Sequence, residues 1–128
     1  MKEYDLIVIG AGSGLDVASA MHSKGEKVAL IEPGPLGGTC LNRGCIPSKM
    51  LIHRAQLANE IRDSEKFGIK ASIEDIDFEE MINEVNENVS EDAEAIESGV
   101  ENADNYNLYR SEASFVEDKV IEVDGEKL

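Results

Sequence analysis

The start of the chain combines two short apolar runs with a helical repeat between them. The run from Tyr4 to Ile9 is rich in β-branched residues and ends at Gly10. A stretch that opens at Gly14 then carries apolar residues at helical spacing, namely Leu15, Val17, Ala18, Ala20 and Met21. Lys27 to Ile31 is a second apolar run. This order predicts a strand–helix–strand unit over residues 4–32, whose strands pair in parallel because a helix connects them.

Two further helices are predicted downstream. One begins at Pro47, because proline is tolerated in the first turn of a helix, and ends near Phe67-Gly68-Ile69. The second begins at Ile76 and has an acidic outer face. Its apolar residues recur every three or four positions, at Phe78, Met81, Ile82, Val85, Val89, Ala93, Ile96 and Val100.

The hydrophobic period changes to two near the C-terminus. Leu108 to Phe115 and Val120 to Val123 predict short strands, and Asp124-Gly125 predicts a turn. The last strand then has no partner before the chain stops at Leu128, so we expect a truncated polypeptide. The whole pattern predicts an α/β fold, with a parallel sheet that is incomplete and a short β-segment at the C-terminus.

Charge and composition narrow the possible partners and the compartment. The chain has 128 residues, 41% of them hydrophobic, with 27 acidic and 12 basic residues and a net charge of −15. This charge disfavours binding to nucleic acid or to anionic lipid. The acidic residues between Glu74 and Glu101 indicate either a solvated helix face or adaptation to high salt. The sequence contains no predicted signal peptide or membrane span, so we expect a cytoplasmic protein without a membrane partner.

A glycine-rich loop follows the first predicted strand and opens the first helix. Its sequence is Gly10-Ala11-Gly12-Ser13-Gly14, which allows a pyrophosphate to approach the backbone and the helix N-terminus. Glu32 ends the second strand, where an acid accepts the ribose hydroxyls of a dinucleotide. The usual spacing places a third glycine at position 15, which is Leu15 here. Either Gly14 takes that role, or Leu15 packs where close helix-to-strand contact is expected.

The only two cysteines, Cys40 and Cys45, lie five residues apart. An ideal helix would separate them by roughly 7.5 Å along its axis, beyond the usual disulfide span of about 4.4 to 6.8 Å. A bond between them therefore needs an irregular turn, which Gly44 permits. A disulfide in a reducing compartment is more often catalytic than structural. Half of a zinc site and a pair of inert core thiols are the alternatives, although only His53 lies nearby as a further zinc ligand.

The segment from Gly37 to Lys49 carries a resemblance to a known family. Its sequence, Gly-Gly-Thr-Cys-Leu-Asn-Arg-Gly-Cys-Ile-Pro-Ser-Lys, resembles the redox motif of the class I pyridine nucleotide-disulfide oxidoreductases. That family includes dihydrolipoamide dehydrogenase, glutathione reductase, mycothione reductase and mercuric reductase. The similarity extends over essentially the whole chain. It implies that residues 1–128 form a partial, Rossmann-like FAD-binding domain.

The resemblance implies a site for FAD. The Ala113 backbone would meet the adenine, Glu32 would bind the ribose, and Gly38 and Thr39 would line the path from pyrophosphate to flavin. The residues implied to bind FAD are Gly10, Gly12, Gly14, Glu32, Gly38, Thr39, Lys49 and Ala113.

The resemblance also implies the catalytic residues. Cys45 would be the thiol against the flavin in a charge-transfer pair, and Cys40 the thiol that exchanges with the disulfide substrate. Lys49 would lie near flavin N5, where a cation stabilises the reduced anionic flavin. No metal ligand is implied. His22 and His53 lie on predicted helices and are not candidates for the acid/base histidine, which in the family comes from the partner subunit of a homodimer.

The function implied is electron transfer between a Cys40–Cys45 disulfide, FAD and NAD(P). The sequence Cys-Ile-Pro-Ser-Lys most resembles dihydrolipoamide dehydrogenase, which acts on a lipoyl disulfide; the alternatives are an enzyme like mycothione reductase or a non-enzymatic nucleotide-binding or redox module. The family's NAD(P)-binding and dimerisation domains have no counterpart in these 128 residues. We therefore expect the chain alone to lack turnover.

Overall fold

The computed structural model describes all residues from Met1 to Leu128. It contains six strands, four α-helices and one turn of 3-10 helix. In chain order these are β1 (Leu6–Ile9), α1 (Gly14–His22), β2 (Val28–Ile31), α2 (Gly38–Arg43), α3 (Cys45–Asp63), the 3-10 turn (Ser64–Phe67), α4 (Phe78–Glu101), β3 (Tyr106–Tyr109), β4 (Ala113–Glu117), β5 (Val120–Val123) and β6 (Glu126–Lys127).

The first three strands form a parallel sheet in the order β1-β2-β3. Leu30 of β2 lies opposite Val8 of β1 and Leu108 of β3. Helix α1 connects β1 to β2, as the strand–helix–strand pattern predicts, and α2 to α4 connect β2 to β3. The predicted α/β class with a parallel sheet is therefore confirmed.

Strand β2 is the centre of the core because both of its faces are covered. Val28 and Leu30 pack with Ala18 of α1 and Val100 of α4. The alternate residues of β2, Ala29 and Ile31, pack in a second cluster with Ile121 and Val123 of β5 and with Leu128. All four β2 residues are at most 1% exposed. Two-sided burial explains why β2 is a continuous apolar run rather than an alternating one, and it gives the molecule three layers.

The C-terminal strands form a separate antiparallel sheet in the order β4-β5-β6. Two expectations are wrong here. The predicted strand from Leu108 to Phe115 is two strands in different sheets, because the chain leaves the parallel sheet after Tyr109. The predicted strand Val120–Val123 is paired on both sides, with β4 and with the short strand β6, so it does not lack a partner.

The helices differ from the predictions mainly at their ends. Helix α3 begins at Cys45 rather than Pro47, and a 3-10 turn follows it before Gly68. Helix α2 is additional to the predicted elements. Helix α4 begins at Phe78, where the Asp77 carboxylate caps it by accepting from the Glu80 backbone N–H at 2.8 Å. None of the helices is both long and apolar enough to cross a membrane.

Candidate dinucleotide and dithiol site

The glycine-rich loop joins β1 to α1 at the carboxyl end of the parallel sheet. A Cβ atom on Gly14 would lie 2.6 Å from Cγ1 of Val8, which is closer than carbon atoms can pack. Gly14 is therefore the residue at the close contact between α1 and β1. Leu15 is half-buried and packs against the helix-side core, the apolar cluster that contains Ala18, Leu30 and Val100. The first of the two alternatives for the missing third glycine is correct, since Gly14 takes its place.

The start of the dithiol segment lies directly against this loop. Gly38 has φ +65°, and a Cβ atom there would lie 2.5 Å from Cα of Gly12. The backbone N–H of Gly37 also donates to the Ala11 carbonyl at 2.9 Å. Only glycine combines this φ with so close a backbone approach. Thr39 follows Gly38 in α2, so the backbone that leads to Cys40 starts at the contact with Gly12.

Glu32 lies over the glycine loop, as its place after β2 predicts. Its Oε2 accepts from the Ala11 backbone N–H at 2.9 Å, and its Oε1 accepts from the Gly34 N–H at 2.9 Å. Each carboxylate oxygen has a second lone pair. Glu32 can therefore still accept hydrogen bonds from the hydroxyl groups of a ribose while it accepts from the loop.

Ala113 is brought to the same edge by the link between the two sheets. It begins β4 and is half-buried. Together with Ile9, Gly10 and Ile31 it lines a cavity of about 260 Å³ beside the glycine loop. The residues present thus fit a dinucleotide, because a glycine loop that can admit a pyrophosphate, an acid with free lone pairs and a cavity beside Ala113 lie together.

The two cysteines lie on either side of a sharp break between α2 and α3. The break is at Gly44, whose φ of −132° and ψ of −112° are not helical. A Cβ atom on Gly44 would lie 2.9 Å from the Thr39 carbonyl oxygen, so a side chain does not fit. The irregular turn that a disulfide requires is therefore present. Cys40 lies within α2, and Cys45 is the first residue of α3.

Both cysteines are exposed free thiols in this structure. A hydrogen bond to Cys45 raises the pKa of the Cys40 thiol, with smaller contributions from desolvation and from the charge of Cys45. Cys40 and Cys45 flank the break at Gly44. Their bonding as a redox disulfide stays a prediction. Being exposed, they are not inert core thiols, and no group of three or more His, Cys, Asp and Glu side chains is placed to hold a metal ion.

Lys49 and the two histidines lie on helices α3 and α1. Lys49 is exposed on α3, one turn after Cys45. His53 is exposed on the same helix. His22 ends α1, where its Nε2 lies 2.7 Å from the Asp104 carbonyl oxygen and its ring packs against Tyr106. Both histidines are on helices, as predicted.

Two residues that hold the site together were not among the predicted site residues. Asn42 donates from Nδ2 to the carbonyl oxygens of Leu36 at 3.0 Å and Gly38 at 2.9 Å, and so fixes the segment that leads to Cys40. Its position between glycines within the motif was a signal. Arg110 follows β3 and contacts the turn after β2. No pattern in the sequence indicates that contact.

A glycine-rich loop, an acid that accepts from the backbone of that loop and an adjoining segment with two thiols are the parts that the sequence motifs led us to expect. The chain belongs to the pyridine nucleotide-disulphide oxidoreductase family, whose sequence profile matches residues 4–127. This is an enzyme family whose members use FAD together with NAD(P). The family implied by the motif is therefore confirmed.

Individual relatives agree with that assignment. Mycothione reductase of Mycobacterium tuberculosis is 34% identical over 115 residues, covering 90% of this chain and 25% of the relative. Dihydrolipoyl dehydrogenase of Staphylococcus aureus is 39% identical over 129 aligned positions, covering 98% and 27%. The HOCl-induced flavoprotein disulfide reductase RclA from Escherichia coli superposes with a TM-score of 0.78 at 29% identity, covering 98% and 26%. The chain thus spans about a quarter of the length of these proteins.

Proposed function

We propose that this chain forms the FAD-binding and dithiol part of a flavin-dependent disulfide oxidoreductase. The observation that carries the proposal is the close backbone approach of Gly38 to Gly12, which joins the dithiol segment to the glycine loop. Electron transfer between a dithiol and a bound dinucleotide requires these two parts to be next to each other. A structural disulfide would not require a glycine cradle beside it.

The residues that would hold FAD are those of the cradle and its rim. Gly10, Gly12 and Gly14 would admit the pyrophosphate, Glu32 would accept the ribose hydroxyls, and the Ala113 backbone would meet the adenine. Gly38 and Thr39 would continue the path toward the flavin, and Lys49 would supply a positive charge near the ring. FAD supplies a two-electron carrier between the dithiol and a nicotinamide.

The two thiols would reduce a disulfide substrate by exchange. The Cys40 thiolate attacks one substrate sulfur, which forms a mixed disulfide and releases the other sulfur as a thiol. The Cys45 thiolate then attacks the Cys40 sulfur, which releases the second substrate thiol and leaves the Cys40–Cys45 disulfide. The substrate gains two electrons and two protons, and the dithiol loses them. Because the pKa of Cys40 is raised, the first step needs a base to remove its proton.

The substrate we propose is a lipoyl disulfide, with a mycothiol-type disulfide as the alternative. The sequence Cys-Ile-Pro-Ser-Lys and the 39% identity to a dihydrolipoyl dehydrogenase favour the first. The 34% identity to a mycothione reductase favours the second. We further propose that NAD(P) binding, dimerisation and the base for Cys40 are supplied by sequence other than these 128 residues, as the greater length of the relatives indicates.

Stoichiometric exchange tests this function without any cofactor. The reduced 128-residue chain, mixed with lipoamide, should reduce one disulfide per chain and become two hydrogens lighter within one peptide that contains both cysteines. Cys45→Ser should stop at a mixed disulfide between lipoamide and Cys40. Cys40→Ser should form no mixed disulfide, because Cys45 is not the thiol that exchanges with the substrate. Exchange by neither thiol, or trapping at position 45 instead, would overturn the proposed roles.

Cofactor binding and turnover are tested separately on the same chain. We expect weak FAD binding in a flavin fluorescence titration, because the residues named above serve mainly the adenosine and pyrophosphate half of the cofactor. With NADH or NADPH and lipoamide we expect no more than background turnover. Repeated turnover by the chain alone would instead show that it is a self-contained enzyme.

A further inference from the structure

Arg110 connects three parts of the molecule at the carboxyl end of the parallel sheet. It follows β3, and its Nη1 donates to the Gly34 carbonyl at 2.5 Å and, at 3.4 Å, to the Glu32 carbonyl. Its Nη2 makes an ion pair with the Glu97 carboxylate of α4 at 3.0 Å. One guanidinium group therefore ties the turn after β2 to both β3 and α4.

That turn carries the acid of the candidate nucleotide site. Gly34 accepts from Arg110 through its carbonyl oxygen and donates its N–H to Oε1 of Glu32. The other carboxylate oxygen of Glu32 accepts from the Ala11 N–H in the glycine loop. A continuous chain of hydrogen bonds thus runs from Arg110 through Gly34 and Glu32 to the loop.

The geometry matters more here than the strength of the ion pair. Arg110 and Glu97 are 41% and 26% exposed in their side chains, and partly exposed ion pairs contribute little to stability. The guanidinium is a rigid planar fork, however, so several hydrogen bonds from it fix the position of the groups that accept them. Without Arg110, Gly34 itself would keep only the hydrogen bond from its N–H to the Glu32 carboxylate, and the nearest other anchor of the turn would be the hydrogen bond from Asn42 to the Pro35 carbonyl.

We propose that Arg110 is a positioning residue that fixes the Glu32 carboxylate over the glycine loop before a nucleotide binds. The link that carries Arg110 also leads to Ala113, so the acid at the ribose position and the wall of the adjacent cavity share one anchor. The inference deepens the proposed function, because it rests on that function for the identity of the ligand as the adenosine half of FAD. The positioning itself is a property of the chain alone.

Amide hydrogen exchange measured by NMR on the 128-residue chain tests the positioning directly. Arg110→Ala should speed exchange of the Ala11 and Gly34 amides by about tenfold, the factor that corresponds to one hydrogen bond of ordinary net strength. The Leu30 amide in β2 should keep its rate, which separates local release from general loss of stability. An Ala11 rate within twofold of the unmodified chain would overturn the proposal.

Arg54 provides a matched control. Like Arg110, it donates to a backbone carbonyl, that of Met50, and pairs with a carboxylate of α4, that of Glu84. It lies on α3 and makes no contact with the glycine loop. Arg54→Ala should leave the Ala11 amide unchanged, and equal acceleration by both variants would show a general loss of stability and so contradict a specific role for Arg110.

Two milder variants keep the test decisive if Arg110→Ala does not fold. Arg110→Lys retains the charge but presents a single ammonium group, and Glu97→Gln removes the ion pair while leaving the donors of Arg110 in place. Both should speed exchange of the Ala11 amide, and the lysine variant more than the glutamine variant. No acceleration in either would overturn the proposal.

Flavin fluorescence titration of the same variants separates this proposal from the proposed function. If the unmodified chain does not bind FAD, the assigned cofactor is wrong, while the exchange rates still decide the role of Arg110. If it binds FAD, Arg110→Ala should weaken the affinity by about tenfold and Arg54→Ala should not. Unchanged affinity in Arg110→Ala would overturn the positioning role.

Discussion

Strand β2 and the dithiol helices α2 and α3 differ in how they are held in place. Every residue of β2 is at most 1% exposed, and its two faces lie in two separate apolar clusters. Helices α2 and α3 contain no buried residue. They are anchored instead by the close approach of Gly38 to Gly12, by the Asn42 hydrogen bonds, and by packing of α3 against α4.

The difference separates the origin of stability from the origin of chemistry. Burial of apolar surface is the main favourable contribution to folding, and it is concentrated around β2. The thiols need contact with solvent and with a substrate, so they lie on the exposed part. We therefore expect substitutions around β2 to change the free energy of unfolding, and substitutions at the backbone anchors to change the relation between the dithiol and the glycine loop.

The largest effect is expected for Leu30→Ala. Leu30 is fully buried in the helix-side core, and removing its side chain loses apolar contacts and leaves a cavity. The free energy of unfolding should fall by about 2–5 kcal/mol, measured by urea denaturation. Leu57→Ala is the control on α3, where the side chain is 54% exposed and the loss should be no more than about 1 kcal/mol. Equal losses would show that the stability of the chain is not concentrated around β2.

Gly38→Ala is expected to come next. The new methyl group would overlap Cα of Gly12, and alanine disfavours the φ of +65° at this position. The strain should cost about 2–4 kcal/mol of stability or push α2 away from the loop. Urea denaturation measures the first outcome, and faster exchange of the Gly37 amide, which donates to Ala11, measures the second. A variant that changes neither would show that this contact does not anchor the dithiol segment.

The elements with a clear hydrophobic period were predictable from the sequence, and those fixed by contacts distant in sequence were not. The strand–helix–strand unit and α4 carry their signal locally. Helix α2 does not, because two glycines at its start oppose a helix unless Gly38 is held against Gly12. The run from Leu108 to Phe115 has a single period of two, yet it turns at Arg110 into a second sheet. A period of two indicates that one face of a segment is buried, but it does not indicate which sheet that segment joins.

The candidate site divides in the same way. Glu32 and the cysteines were predictable, because their positions relative to a strand or to each other are motifs. The substitution of Gly14 for the missing third glycine needed the structure, since it depends on the distance to Val8. Arg110 needed it too, because its partners Gly34 and Glu97 are remote in sequence.

A smaller effect, chemical rather than structural, is expected at the thiols. The hydrogen bond to Cys45 raises the pKa of Cys40, so at a given pH less of Cys40 is thiolate than in an ordinary cysteine. Cys45→Ser removes the thiol partner and its charge, and should move the pH midpoint for alkylation of Cys40 downward. Mass spectrometry of iodoacetamide-treated protein across a pH series measures it. An unchanged or higher midpoint would mean that Cys45 does not control the Cys40 proton.

The smallest effect is expected for Gly99→Ala, which reverses the sign of the Gly38 substitution. Gly99 is exposed in the last part of α4, has no positive φ, and a Cβ atom there would meet nothing within 4 Å. Alanine loses less conformational entropy than glycine when it enters a helix, so the variant should be more stable by about 0.5–1 kcal/mol in urea denaturation. Exchange of the Gly37 amide should not respond specifically, because α4 does not form the Gly38 contact. If Gly99→Ala destabilised the chain as much as Gly38→Ala, the cost at Gly38 would follow from adding any methyl group rather than from the contact with Gly12, and the backbone anchor of the dithiol segment would lose its support.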